Sequence, residues 1–246
     1  MVSELSTSGS GAVARIEVGN IGSQSLPFET RITRINFDPD GTLVETPADE
    51  DFLVFPPQGL VPTSGRQVVR VQWIGQPDIP SSQAYYVWIR QLPVETDPQK
   101  IEGTEASVKI NVLYTMKSLI VVAPSGAKPR VEVKAVIPKT FTPPTPQIDP
   151  ELQGEADAQP EAESLPGVEV SLVNTGNRYA LMSGAKWVLT GTDIHGQPFE
   201  KTYDGEEISQ IVGVGYLAPA GGTRTFSVPT GVELDPSKRI ELRFTR

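Results

Sequence analysis

Residues 106–122 read ASVKINVLYTMKSLIVV, and this stretch decides how the rest of the chain is interpreted. Apolar and polar residues alternate through most of it, which is typical of a β-strand with two different faces. One face carries five apolar residues: Val108, Ile110, Val112, Tyr114 and Met116. At about 3.3 Å per residue such a strand would extend for roughly 50 Å, far beyond the usual five or six residues. The length predicts an edge strand that is shared with another polypeptide.

The segments around this stretch also alternate, and turn-forming residues separate them. Strand signals recur about every eight to twelve residues and no helical period is evident, so we predict an all-β protein built from immunoglobulin-type sandwiches. In FLVFPP, residues 52–57, the prolines predict the end of an edge strand or a switch between sheets. DPDG, residues 38–41, predicts a β-turn rather than a calcium loop, because the spaced oxygen ligands and terminal Glu are missing.

The two halves of the chain resemble each other. ARIEVGNIGS, which contains Asn20, resembles VEVSLVNTGN, which contains Asn174. Further along, LVPTSG at 60–65 resembles LAPAGG at 217–222, at a similar distance from the Asn. Matching motifs in matching order predict duplicated sandwich domains. Each Asn is expected to form an Asx-type turn between strands.

The domain boundary is predicted after Val122, where the Pro/Gly-containing segment APSGAKP would join two domains. We expect an N-terminal domain at 1–124 and a C-terminal domain at 125–246. Within the second, residues 140–166 are Pro-rich and acidic and contain no Lys or Arg. This composition predicts a flexible loop, either a solvated insertion or a docking segment for a basic surface.

Composition excludes several functions. A net charge of −9 without clustered Lys or Arg argues against nucleic-acid binding. The chain has no Cys, and its single histidine, His195, lies in a turn-like segment, so we expect a surface residue and neither catalysis nor a metal site. The carboxylates at 49–51 and 206–207 show no glycosidase arrangement. We predict no enzyme activity, no cofactor and no membrane insertion, and a secretion signal that has been removed.

Three motifs in this order resemble the periplasmic chaperones of chaperone–usher pilus assembly, the PapD-like family. They are FLVFPPQGLVPTSGRQVVRVQW (52–73), YYVWIRQLP (85–93) and the long alternating strand that follows. The resemblance covers nearly the whole chain. It implies two immunoglobulin-like domains in a boomerang-like arrangement, a periplasmic location, and pilus subunits and an outer-membrane usher as partners.

The resemblance also implies donor-strand complementation, in which the chaperone lends an alternating strand to the incomplete sandwich of a pilus subunit. Val108, Ile110 and Val112 would be the donor residues, with the strand continuing through Tyr114 and Met116. Backbone pairing would give affinity, and side chains two residues apart would give register. The alternative is that this face packs into the first domain of the chaperone itself.

Chaperones of this family anchor the subunit's C-terminal carboxylate with a Lys on this strand and an Arg on the first strand. Lys117 matches the Lys, but Glu4 stands where the Arg is expected, and a Glu would repel a carboxylate. Arg90, together with Gln91, is the candidate to bind the carboxylate in place of the missing first-strand Arg. This departure, and the long strand end SLIVVAP, suggest a divergent or archaic-type branch of the family.

Two other functions stay open at this stage. One is a structural pilus or adhesin-type surface protein with tandem β-sandwich domains. The other is a carbohydrate-binding or accessory module, which would need Trp73, Trp88 and Trp187 on an exposed platform. Because each Trp lies within an alternating strand, we expect all three in the core. An exposed apolar edge also predicts a self-capping homodimer.

Overall fold

The computed structural model describes residues 2–38, 42–93, 113–142 and 164–245. The chain divides into two compact units, one containing Met1–Asn36 and Leu43–Lys128 and the other Phe37–Thr42 and Pro129–Arg246. Each unit is a β-sandwich with its own apolar core. The predicted all-β class with two sandwich domains is confirmed.

The first unit forms two sheets. Its strands are β1 (Val2–Ser6), β2 (Val13–Gly19), β3 (Leu26–Phe37), β4 (Leu43–Pro47), β5 (Phe52–Phe55), β6 (Gln58–Val61), β7 (Arg66–Trp73), β8 (Gln83–Gln91) and β9 (Thr115–Ala123). One sheet has the order β1-β9-β8-β3-β4, with β6 also paired to β3, and the other has the order β2-β7-β5. The chain changes sheets between β5 and β6, at Pro56 and Pro57, which confirms the predicted switch.

Three aromatic rings fill one part of this core. The Phe52 ring lies edge-on to Trp73 and to Tyr85, with centroids 5.1 Å and 4.8 Å apart. The buried Tyr85 hydroxyl lies 3.0 Å from Asp51 Oδ2 and 2.6 Å from Gln83 Oε1. Burial, with Asp51 nearby, raises the pKa of Tyr85 above its usual value, so its hydroxyl stays a neutral hydrogen-bond donor.

The second unit is also a sandwich. Its elements are β10 (Val131–Phe141), β11 (Leu165–Asn174), β12 (Ala180–Leu181), β13 (Lys186–Thr192), β14 (Pro198–Tyr203), α1 (Gly205–Val212), β15 (Tyr216–Leu217), β16 (Gly222–Pro229) and β17 (Glu241–Thr245). The sheets have the orders β10-β11-β16 and β14-β13-β17, with β12 and β15 as a separate pair. Trp187, Leu189 and Tyr203 are fully buried in the core.

Helix α1 is a short helical element where the sequence shows no evident helical period. Asp204 caps it, because its side chain accepts hydrogen bonds from the N–H groups of Glu206 and Glu207, both at 3.0 Å. Ile208 and Val212 form its buried face. A helix of eight residues covers only about two turns, too few for a helical period to be evident in the sequence.

Part of the segment predicted to be a flexible acidic loop is strand. Thr140 pairs with Pro166 and Phe141 pairs with Leu165, so both ends of the 140–166 segment belong to the β10–β11 ladder. Residues 143–163 lie outside the described residues. For the DPDG turn, Asp38 N–H donates to the Thr42 carbonyl at 2.9 Å, while residues 39–41 lie outside the described ranges.

Asn20 has the Asx-type turn predicted for it and also connects separate parts of the first unit. Its Oδ1 accepts the Gly22 N–H at 2.9 Å. Its Nδ2 donates to the carbonyl oxygens of Gln24, Val61 and Pro62, at 2.7, 3.1 and 3.2 Å. The side chain is buried, so these bonds satisfy polar atoms that water does not reach.

Asn174 repeats this arrangement in the second unit. Its Oδ1 accepts the Gly176 N–H at 3.1 Å, and its Nδ2 donates to the carbonyls of Arg178 at 2.7 Å and Leu217 at 3.5 Å. Its Oδ1 also accepts the Arg130 N–H at 3.0 Å. The same internal bonds at matching positions support the duplication inferred from the sequence.

We expect Asn20→Ala to destabilise the first sandwich by about 2–4 kcal/mol, because several buried hydrogen-bonding groups lose their partner at once. Gln24→Ala is the matched control: its side chain is exposed, and its carbonyl, which accepts from Asn20, is retained. Urea unfolding followed by domain-resolved NMR would measure both. Equal stability of the two variants would contradict the role assigned to Asn20.

Candidate functional site

The predicted donor strand is only partly within the described residues. Val108, Ile110 and Val112 lie outside them, and β9 is described from Thr115. Tyr114, just before β9, and Met116, its second residue, are 64% and 47% exposed.

Strand β9 has two halves with different surroundings. Leu119–Ala123 pairs in parallel with β1 on one side, and Leu119–Val122 pairs antiparallel with β8 on the other. Thr115–Ser118 pairs with β8 alone, and within the described parts of the chain no strand lies along its other edge. The second half is buried throughout, while Thr115, Met116 and Lys117 are exposed. The strand therefore has a closed half and an open half.

Lys117 lies in the open half, on the sheet face opposite the core. Its Nζ donates to Glu45 Oε1 at 2.8 Å and stands 3.6 Å from the centroid of the Trp88 ring. Glu45 Oε2 also accepts from the Thr33 hydroxyl at 2.6 Å and from Trp88 Nε1 at 3.1 Å. The Lys117 side chain is 35% exposed and that of Glu45 is 20% exposed. The ammonium group is thus accessible, and a carboxylate of the same chain already pairs with it.

The Glu45 carboxyl is held in its charged form. Partial burial favours the neutral acid, but the hydrogen bonds from Lys117, Thr33 and Trp88 and the Lys117 charge outweigh it. The pKa of Glu45 is therefore below its ordinary value of 4.5. This cluster shows that three donors on β3, β8 and β9 can together hold one carboxylate.

Arg90 and Gln91 have different surroundings. Arg90 pairs across β8 and β9 with Thr115, which places it on the face that carries Lys117. Its Nη1 lies 4.0 Å from Glu29 Oε1, and its side chain is 61% exposed. Gln91 is instead tied to the start of β9: its N–H donates to the Tyr114 carbonyl at 2.9 Å, and its Oε1 accepts the Tyr114 N–H at 3.2 Å. Arg90 is accordingly the better placed of the two for a carboxylate partner.

Glu4 lies on β1, where it pairs with Val121 of β9. Since Lys117 is four residues before Val121 on the same strand face, Glu4 is about 13 Å along the strand from it. An acidic side chain thus occupies the first-strand position at which the family resemblance implies an Arg.

The tryptophans show one departure from expectation. Trp73 and Trp187 are buried, as predicted, but Trp88 is half-buried on the outer sheet face beneath Lys117. Alternation indicates that a strand has two faces without indicating which face meets the core. His195 is exposed, and its backbone N–H donates to Asp193 Oδ1 at 2.9 Å in a turn, as expected for a surface residue.

The described residues contain no group of His, Asp and Glu arranged to hold a metal ion. Within the same ranges, none of the helices is long and apolar enough to cross a membrane.

We expect Glu45→Gln to lower the stability of the first sandwich at pH 7 by about 0.5–1 kcal/mol, a small value because solvent screens this partly exposed pair. Since the folded-state pKa is depressed, the stabilisation is fully present above about pH 4.5 and is lost as the pH falls through the folded-state value. Urea unfolding between pH 7 and pH 3 should show the two proteins converging in acid. Glu50→Gln, at an exposed carboxylate of the same unit, serves as the control. If the difference in unfolding free energy between the wild-type protein and Glu45→Gln stays constant across this pH range, the ionic contribution of Glu45 is excluded.

No family model matches the chain, and no curated protein matches it in sequence. Solved structures do match. The Class 5 fimbriae chaperone CfaA gives a TM-score of 0.53 at 13% identity, over 99% of this chain and 88% of CfaA. A chain in the structure of a chaperone–tip adhesin complex vital for activation of CFA/I fimbriae biogenesis gives 0.52 at 13%, over 98% and 95%. The E. coli chaperone DraB gives 0.50 at 14%, over 100% and 93%. The protein thus has the two-sandwich fold of the fimbrial chaperones.

Proposed function

We propose that this protein is a periplasmic chaperone that binds and stabilises pilus subunits by donor-strand complementation and delivers them to an outer-membrane usher. The open first half of β9 carries this proposal. Its edge away from β8 has no strand partner among the described residues. The apolar side chains of Tyr114, just before the strand, and Met116, its second residue, are exposed. Such an edge is suited to a shared sheet.

The surroundings of β9 limit which residues can be donated. From Leu119 onward the strand pairs on both sides, with β1 and β8, and its side chains are buried. Donation would therefore involve the chain before Leu119. This leaves the face formed by Val108, Ile110, Val112, Tyr114 and Met116. Each side chain fully buried in a subunit groove would contribute about 1.5–3 kcal/mol before the cost of ordering the strand.

Lys117 is the proposed anchor for a subunit's C-terminal carboxylate, with Arg90 beside it on the same face. The contacts of Glu45 support the chemistry, because they include a lysine ammonium, a hydroxyl and an indole N–H on one carboxylate. A subunit carboxylate would compete with Glu45 for the ammonium group. The free energy of capture therefore depends on the difference between the contact of Lys117 with the subunit carboxylate and its contact with Glu45.

The structural matches support the same class of function through the fold. One is a chaperone of Class 5 fimbriae, and another comes from a complex between a chaperone and a tip adhesin. From this similarity we infer a periplasmic location. We also infer a mechanism that uses strand exchange and needs no nucleotide, metal or enzymatic step.

Val108→Asp, Ile110→Asp and Val112→Asp together should abolish a stable one-to-one complex with a co-expressed pilus subunit, because charged groups would enter an apolar groove. Co-purification and size-exclusion chromatography with light scattering would measure it. The control is Lys109→Asp with Asn111→Asp, which adds acid to the other face of the same alternating segment. Strand donation by this segment is excluded if the triple variant still captures the subunit.

Lys117→Met should weaken subunit capture by about 10- to 100-fold, the range for loss of a charge-assisted contact. Arg31→Met removes a cation of a neighbouring strand, whose side chain is 66% exposed, and should change capture by no more than about twofold. Glu45→Gln should strengthen capture, since the competing carboxylate is gone. Titration calorimetry with a peptide of the subunit's C-terminus would rank the three. Equal affinities for the Lys117 and Arg31 variants would exclude the anchor.

A further inference from the structure

The carboxylate of Glu45 occupies a site that is built from side chains of three other strands. Its Oε1 accepts a hydrogen bond from Lys117 Nζ of β9 at 2.8 Å. Its Oε2 accepts from the Thr33 hydroxyl of β3 at 2.6 Å and from the indole Nε1–H of Trp88 of β8 at 3.1 Å. One carboxylate oxygen therefore faces a cation, and the other faces two neutral donors.

The three donors are also held together by contacts with one another. Lys117 and Trp88 are cross-strand partners, and Lys117 Nζ lies 3.6 Å from the centroid of the Trp88 ring. The Trp88 Nε1–H also donates to Thr33 Oγ1 at 3.0 Å. The ring thus attracts the ammonium group through its face while its N–H points toward the hydroxyl group. The donors would therefore stay assembled if the Glu45 carboxylate turned away.

Glu45 reaches this site from a distant strand. In the sheet order β9-β8-β3-β4 it lies on β4, three strands from Lys117. At about 4.8 Å per strand spacing, the two backbones are roughly 14 Å apart, so the contact is made between the tips of two long side chains. Rotation about the side-chain torsions of Glu45 would empty the site without a change in the sheet.

We propose that Glu45 is a removable occupant of this site and that the C-terminal carboxylate of a bound pilus subunit takes its place. The donors to the subunit are then Lys117, Thr33 and Trp88. This inference rests on the proposed function, and it names two neutral donors in place of the first-strand Arg that the family resemblance implies. An α-carboxylate has the same two oxygens as a Glu side chain, so all three hydrogen bonds can be kept.

Strand β1 determines where a subunit has to leave the shared sheet. It pairs with β9 from Leu119 onward, so a partner strand along Thr115–Ser118 must turn out of the sheet before that point. The ring of Trp88 lies over β8, two strand spacings or about 10 Å from such a partner strand. At about 3.3 Å per residue, three or four residues would span this distance. The site therefore suits subunits with a short C-terminal extension beyond the shared strand.

Acetate binding to the full-length Glu45→Ala chain tests the site without a subunit. The three donors remain, so acetate should shift the indole N–H resonance of Trp88 in a saturable way, at an ionic strength held constant with chloride. Adding Thr33→Val should weaken acetate binding about fivefold, the net effect of one neutral hydrogen bond. Glu29→Ala is the matched control, because Glu29 is a carboxylate of β3 that is 18% exposed and lies 3.7 Å from Arg31 Nε. No saturable shift in the Glu45→Ala chain, or an equal shift in the Glu29→Ala chain, overturns the proposal.

Subunit capture distinguishes use of all three donors from binding to Lys117 alone. In the wild-type chain, Thr33→Val removes a donor from both competing carboxylates, so capture should change by no more than about twofold. In the Glu45→Ala chain the same substitution should weaken capture about fivefold. If Thr33→Val instead strengthens capture by the wild-type chain, only Glu45 has lost a contact and the assignment is refuted. Absence of capture by the wild-type chain would refute the proposed function, whereas the acetate titration decides the carboxylate site in either case.

Discussion

The pairing of β1 with the second half of β9 is the constraint on which the open edge depends. It places Leu119–Val122 between two strands, buries the side chains on both faces of the sheet and leaves Thr115–Ser118 paired on one side. A strand that is fixed at one end and free along one edge at the other can be offered to a partner without unfolding the domain that carries it. The proposed strand donation would therefore require only local adjustment of a stable sandwich.

The buried asparagines stabilise the two sandwiches in the same way. Each side chain forms an Asx turn after its strand. Each also donates a hydrogen bond to a second segment of the chain, to the Val61 carbonyl in one unit and the Leu217 carbonyl in the other. The asparagine therefore has the same structural role in each half of the duplication.

Much of this fold could be predicted from the sequence, because alternation, prolines and the repeated Asn are local signals. The sheet switch at Pro56 and the Asx turns followed from them. The break in alternation at Leu119–Ala123 is typical of a strand buried on both faces, but no sequence pattern indicates that β1 covers it. The Lys117–Glu45 pair joins residues 72 positions apart, and the outward position of Trp88 depends on which face meets the core. Such features follow from tertiary packing, and α1 was too short to give a period.

The two-sided pairing of β9 also has a mechanical consequence. Hydrogen bonds in a sheet lie across the strands, so a pull along the axis of β9 loads the bonds to β1 and β8 together in shear. A pull perpendicular to the open half, in the plane of the sheet, separates its bonds to β8 one after another. A partner held by Thr115–Ser118 would thus resist tension along the strand and yield to peeling from the side. Direction of force, as well as affinity, would then determine how easily a cargo leaves this protein.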